Sequence, residues 1–153
     1  QEMFYYKFNL KLPNFNWIGT KSCKKKYLKN PQWLRNIKDR KYPFYRLDTF
    51  FSDIKHQSVK IVENGGWHFS NLKNIEELER KFLNDENHSE YEEKGHSLER
   101  IKANIRNRSI DYNHNAKKDS DQRFNSTKLQ VIDKNILPEY IQNNFKKYET
   151  WFD

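Results

Sequence analysis

Aromatic side chains must build most of the core of this chain. Eleven Phe, nine Tyr and four Trp make up 16% of its 153 residues, while all hydrophobic residues together reach only 35%. Each aromatic ring can bury roughly 150–250 Å², so a packed interior is within reach of a sequence whose aliphatic residues alone would not supply one. Four Gly and four Pro occur, none gathered into a long flexible run. This richness in aromatic residues runs against disorder. The length is that of about one domain.

The 29 Lys and Arg against 21 Asp and Glu leave a formal charge of +8. That balance favours an anionic partner, whether a nucleic acid, a phosphorylated surface or a nucleotide diphosphate, and does not choose among them. The abundance of Lys and Asn is equally compatible with genome base bias. Cys23 is the single cysteine, so neither an internal disulfide nor a thiolate-rich metal site is available and no oxidising compartment is needed. No apolar run reaches the roughly 20 residues of a membrane-spanning helix. The opening residues Gln1 to Tyr6 lack the basic-then-apolar order of a signal peptide and read as a chain entered within an element.

Along the chain, Phe4 to Leu12 has the β-forming residues and partial alternation of a strand, ended by Pro13 and Asn14. Phe15 to Ile18 is a further short apolar stretch, and Gly19 marks a turn. Asn30-Pro31 opens a helix carrying Trp33, Leu34 and Ile37, which stops in Lys38 to Lys41. Val59 to Val62 is expected to be a strand. Asn74 or Ser70 caps a helix from Ile75 to Phe82, and a third helix from Ser97 places Leu98, Ile101 and Ile105 on one face. A polar loop covers about 112–126, with Phe124 as its anchor, and Leu129 to Ile132 forms a last strand. Ile136 to Ile141 makes a turn or short helix. The aromatic tail of Phe145, Tyr148, Trp151 and Phe152 packs back on the body. The expected class is α/β, a mixed sheet with flanking helices.

The most informative segment is Lys60 to Ser70, where a β-rich run and Glu63 lead into Gly65, Gly66, Trp67, His68 and Phe69. Paired glycines permit positive φ and close approach of a ligand. A neighbouring histidine can ligate a metal, donate to a phosphate or act as a base. Glu63 stands at the end of the expected strand, where α/β enzymes place working groups. A plainer reading of the same letters is a hairpin turned by Asn64-Gly65, with Trp67 and Phe69 in the core and His68 bonded to a backbone carbonyl.

Glu63-Asn64-Gly65-Gly66-Trp67-His68-Phe69-Ser70 closely resembles the Gly-Gly-Trp-His-Phe-Ser signature of glycosyltransferase family 17. Met3 to Leu12 followed by Trp17-Ile18-Gly19-Thr20 resembles that family's aromatic segment and the tryptophan after it. Asn30-Pro31-Gln32-Trp33-Leu34-Arg35 is similar to its Pro-Gln-x-Leu-Arg element, and Asn87-His88-Ser89-Glu90-Tyr91 looks like its Phe-Ser-His-x-Glu region. Asp85 and Glu86 replace the Phe-Ser pair there. The resemblance spans roughly Met3 to Arg108 and is looser in its later part.

The resemblance implies a partial GT-A-like, Rossmann-like nucleotide-sugar transferase domain. Residues 1–153 would be the carboxyl-terminal portion of a single glycosyltransferase catalytic domain whose upstream half is missing. The implied reaction is inverting, metal-dependent transfer of a sugar, N-acetylglucosamine or a relative, from a nucleotide sugar to a glycan or glycoprotein acceptor. A divalent cation, Mn2+ or Mg2+, would draw most of its ligands from an Asp-x-Asp motif upstream, so the fragment is expected to be inactive alone. Asp119-Ser120-Asp121 has the right letters but lies far downstream in the polar loop, and the role is not carried onto it. Localisation would be cytoplasmic or membrane-peripheral in a microbe or virus-infected cell, or the Golgi lumen for a eukaryotic full-length relative.

Such transfer needs charge stabilisation on the departing diphosphate and a base for the acceptor hydroxyl. His68 is the candidate for contact with the diphosphate or its metal. Glu63 and Glu90 are the candidates for the base, with the choice between them open. Gly65 and Gly66 would admit the donor, Arg35 and Arg46 could fork onto its phosphates, and Trp67 or Trp17 could line a sugar pocket or belong to the core. Lys24-Lys25-Lys26 reads more simply as a solvated charge run. From other classes, a nucleic-acid-binding module would use the same charge with exposed aromatics. No zinc-finger spacing, Gly-x-x-Gly loop or recognition-helix pattern favours it. A structural protein on an old transferase scaffold is a further alternative.

Overall fold

The computed structural model describes residues 1–38, 42–43, 45–55, 58–84, 98–111, 113 and 125–153. They form two compact units. One comprises Gln1 and Ile18–Gly65, and the other comprises Glu2–Trp17 and Gly66–Asp153. The expectations for Asp85 to Tyr91, for Asp119 to Asp121 and for Phe124 lie outside the described residues.

The second unit is a mixed α/β structure around a four-stranded sheet. Its strands are β1 (Glu2–Tyr5), β2 (Leu10–Asn16), β3 (Trp67–Ser70) and β6 (Gln130–Val131), in the order β3-β1-β2-β6. β1 runs parallel to β3, with Met3 opposite His68 and Phe4 opposite Phe69, and antiparallel to β2. β2 in turn pairs antiparallel with β6.

The expected single strand from Phe4 to Leu12 is instead a hairpin. Tyr6 turns the chain with φ 65°, a left-handed conformation that is costly for a bulky residue. Its burial holds it there, since only 7% of Tyr6 is exposed. Burial, with Asp111 and Tyr5 nearby, pushes its phenol well above the usual range, so the ring stays neutral. Pro13 and Asn14 do not end β2. They occupy an irregularity where the register passes from Phe4–Lys11 to Glu2–Asn16, and Asn14 takes φ 56°. A bulge is where proline fits inside a strand.

Alternation along β1 feeds two cores. Met3 and Tyr5 join Leu10, Leu12, Leu78, Ile101, Ile110 and Leu129 on one side. Phe4 joins Leu137 and Ile141 on the other, with Phe8, Phe69, Ile132 and Phe152 packed around them. Helix α2 (Ile75–Leu83) covers the first side, and the Asn74 side chain caps it by accepting from the Glu77 amide at 2.8 Å. Glu76 and Glu77 in its first turn and Arg80 and Lys81 in its last suit the helix dipole. Ile75, Leu78 and Phe82 recur at the spacing of one helical face, as do Ile101 and Ile105 of α3 (Leu98–Arg106), which packs against α2.

The expected strand at Leu129 to Ile132 is divided between two ladders. β5 (Thr127–Lys128) pairs with β4 (Ser109–Ile110), and after buried Leu129 the chain continues as β6 beside β2. The second side is covered by α4 (Glu139–Asn143) and α5 (Phe145–Tyr148). As expected, the aromatic tail packs back: Phe8 lies 5.6 Å from Tyr148 and 5.8 Å from Phe152, centroid to centroid. Polar bonds fix the same tail to the hairpin turn. The Phe8 amide donates to Trp151 O at 2.8 Å, the Asn9 side chain accepts from the Asp153 amide at 2.9 Å, and Arg108 pairs with Asp153 at 2.6 Å.

In the first unit, α1 (Pro31–Asn36) starts where its sequence indicates, with the Asn30 side chain accepting from the Trp33 amide at 2.7 Å. It stops at Ile37, short of Lys38, and Lys21 Nζ donates to the carbonyls of Arg35 and Ile37 there. The expected strand at Val59 to Val62 does not form, and these residues are exposed without a ladder partner among the described residues. Ile37 is the one buried hydrophobic residue described in this unit. No helix among the described residues is long and apolar enough to cross a membrane.

Leu78 is fully buried between α2 and the sheet, so Leu78→Ala should lower the unfolding free energy by about 2–5 kcal/mol. Urea unfolding of the two proteins measures this. A loss below about 1 kcal/mol would mean that this helix does not cover the sheet as described.

Candidate functional site

The candidate residues divide between the units. Arg35, Arg46, Glu63 and Gly65 belong to the first, and Gly66, Trp67 and His68 to the second. Glu90 lies outside the described residues.

The glycine pair does not turn a hairpin, because its upstream arm is not a strand. Asn64 takes φ 51° and Gly66 φ 123°, a sequence of reversals that delivers the chain into β3. The Glu2 amide then donates to Gly66 O at 3.0 Å, at the start of the parallel pairing. A Cβ on Gly66 would meet nothing within 4 Å, so glycine is required there by its backbone angle and not by crowding. A Cβ on Gly65 would stand 3.2 Å from the Val62 carbonyl oxygen. Glu63 sits in an exposed turn and not at the end of a strand.

β3 then separates the motif's two rings. Residues adjacent in a strand face opposite sides of the sheet. His68, opposite Met3, faces the side covered by α2, while Trp67 faces the other. The Trp67 indole N–H donates to Ile136 O at 2.8 Å, and the residue is 41% exposed. The aromatic partner of His68 is instead Trp17, from the end of the hairpin, with ring centroids 3.9 Å apart and an interplanar angle of 50°.

A cation completes this group. After β3, Asn71 takes φ 58° and its carbonyl accepts from the Lys73 amide at 2.9 Å, bending the chain into α2. Lys81, from the last turn of α2, donates to Asn71 Oδ1 at 2.6 Å. Its charge is felt at His68, whose pKa is lowered first by burial and then by Lys81. The imidazole is therefore neutral near pH 7, with one nitrogen able to donate and the other to accept. Lys81 also borders a shallow groove with Lys73, Glu77, Arg80 and Asn84. Sequence reasoning passed over Lys81 and Asn71. The signal was present in the Asn-Leu-Lys-Asn segment, since a left-handed Asn and a capping Asn return α2 alongside the strand it follows.

In the first unit, the Arg46 guanidinium is already forked onto Asp48, at 2.9 and 2.7 Å. The pairing raises the pKa of Arg46, and Arg46 together with Lys55 holds the Asp48 carboxyl well below the usual range. A phosphate would have to displace that carboxylate. Arg35 is exposed in the last turn of α1. Among the described residues, no group of three or more His, Cys, Asp or Glu could hold a metal ion. His68 could supply one ligand, and these residues alone do not make a cation site.

No family model, curated protein or solved structure matches this chain. The class its geometry defines is a mixed α/β fold with helices flanking a mixed sheet. The family likeness rests on the motif residues themselves.

The depressed His68 pKa has a readable consequence. Titration of its imidazole by NMR should give a midpoint below the ordinary value of about 6.5, and Lys81→Gln should move it upward. The unfolded imidazole takes up its proton first, so this group's contribution to stability falls as pH drops through about 6.5 and levels off below the folded-state value. A wild-type midpoint at or above the ordinary one would remove both causes.

Proposed function

We propose that the chain belongs to a glycosyltransferase of the GT-A-like type, moving a sugar, N-acetylglucosamine by the family likeness, from a nucleotide sugar to a glycan acceptor. The observation that carries this reading is the setting of His68. It stands on a strand parallel to β1, kept neutral, against the Trp17 ring and beside cationic Lys81. In the reaction the acceptor oxygen bonds to the anomeric carbon, the bond from that carbon to the diphosphate breaks, and the hydroxyl proton passes to a base. Lys81 opposes the negative charge growing on the departing diphosphate. The neutral imidazole donates a hydrogen bond to that group from one nitrogen or takes the acceptor proton at the other. Glu63 and Glu90 remain the carboxylate candidates for the base. A divalent cation would add Lewis-acid stabilisation of the diphosphate. A cytoplasmic or membrane-peripheral setting accords with this role.

In the enzyme containing this chain, His68→Ala should lower kcat for transfer by about 10²–10⁴-fold, measured with a panel of nucleotide sugars and glycan acceptors. Glu63→Gln and Glu90→Gln, made separately, should identify the base by a comparable loss in one of them. Unchanged turnover in His68→Ala would refute the role of the imidazole. The absence of any nucleotide-sugar binding or turnover would overturn the whole assignment.

A further inference from the structure

The net charge is confined to one unit. Ile18–Gly65 holds twelve Lys and Arg against four Asp and Glu, a balance of +8, while the remaining residues hold seventeen of each sign. The same unit displays large apolar side chains. Around the turn Leu47–Thr49, Tyr45 is 70% exposed, Leu47 69% and Phe51 92%, and further along Val62 is 71% exposed. Exposed apolar residues gathered within a strongly cationic unit mark an interaction surface.

We propose that this unit docks on an anionic membrane surface, with Leu47 and Phe51 entering the headgroup layer and the unit's cations held against the lipid phosphates and carboxylates. Interfacial binding combines these two contributions, apolar burial at the acyl boundary and attraction to anionic lipid. Three features favour this occupant over a nucleic acid or a second copy. Leu47, Ile61 and Val62 are aliphatic and exposed. Beside the Phe51 and Tyr45 rings, which could also stack on a base, they add apolar surface that an acyl boundary buries and a nucleic acid does not. Nine of the twelve cations are lysines, and the Arg46 fork is occupied by Asp48. Base-edge reading leans on free arginine forks, whereas headgroups need only point charges. A second copy of a unit with eight net positive charges would be repelled.

Sedimentation of the 153-residue chain with lipid vesicles tests the proposal. Binding is expected to phosphatidylcholine vesicles containing about one third phosphatidylserine, to be weakened by salt, and to be absent from pure phosphatidylcholine. The double variant Leu47→Ser with Phe51→Ser should weaken it by about tenfold or more. Lys24→Gln, Lys25→Gln and Lys26→Gln should each cost about fivefold. Equal binding to neutral vesicles, indifference to the Leu47 and Phe51 changes, or retention on single-stranded nucleic acid without vesicle binding would each overturn it. So would a marked fall in melting temperature of the double variant, because the two side chains would then be packed against protein. The lysine variants, whose side chains are exposed, test the electrostatic part of the binding without disturbing packing.

Discussion

Phe4 has no exposed surface, and the second unit is organised around the strand that carries it. β1 is four residues long, yet it pairs with β3 on one edge and β2 on the other and sends side chains into both cores. A strand buried on both faces cannot show clean polar alternation. Met3, Phe4 and Tyr5 are apolar without interruption for that reason. Among the described residues, the elements that cover the sheet are fitted to these side chains: α2 and α3 to Met3 and Tyr5, the carboxyl-terminal helices to Phe4. The aromatic content that the composition demands is thus concentrated where one strand must serve two layers.

The turn after β1 performs a second task. Its residues bind the tail as well as reversing the chain: Phe8 through its amide and ring, Asn9 through both side-chain amide groups, and Lys7 through Nζ to Thr150 O. Asn9 is itself buried, so its donor and acceptor need partners, and the backbone of Asp153 supplies both. Bonds joining residues so far apart in the chain cost loop entropy to form. The apolar contacts of Phe152 and Ile141 with the Phe4 core offset that cost. The strained Tyr6 is the hinge of this arrangement.

Helices were legible in the sequence because their signals are local. Asn30-Pro31 and Asn74 cap α1 and α2 as their letters indicate, and the spacings of Ile75, Leu78 and Phe82 and of Ile101 and Ile105 mark the faces turned to the core. Strands were less legible, because pairing is decided at a distance. Nothing between Phe4 and Leu12 carries a glycine or a proline to announce the turn at Tyr6. Pro13 and Asn14, which do look like a stop, mark a bulge. Val59 to Val62 has β-forming residues but no partner strand among those described, and propensity without a partner does not make a ladder. For the candidate site, the sequence marked His68 and Trp17 separately. Only the register of β3 on β1, and the return of α2, bring Trp17 and Lys81 to the imidazole.

That register also limits what can reach the imidazole. Side chains on β3 alternate, so the immediate neighbours of His68, Trp67 and Phe69, are turned to the opposite side, where Phe69 packs 5.2 Å from Phe4. A ligand meeting His68 therefore meets groups from other elements: the Trp17 ring at the end of the hairpin and the basic last turn of α2. β3 is an edge of the sheet among the described residues, which leaves the imidazole only partly covered. Burial that lowers its pKa and partial exposure coexist because an edge strand has one covered flank. A charged histidine beside Lys81 would repel its neighbour, whereas a neutral one leaves the lysine as the one cation of the pair. The electrostatics thus keep the two groups distinct, a charge on Lys81 and a neutral donor and acceptor at His68.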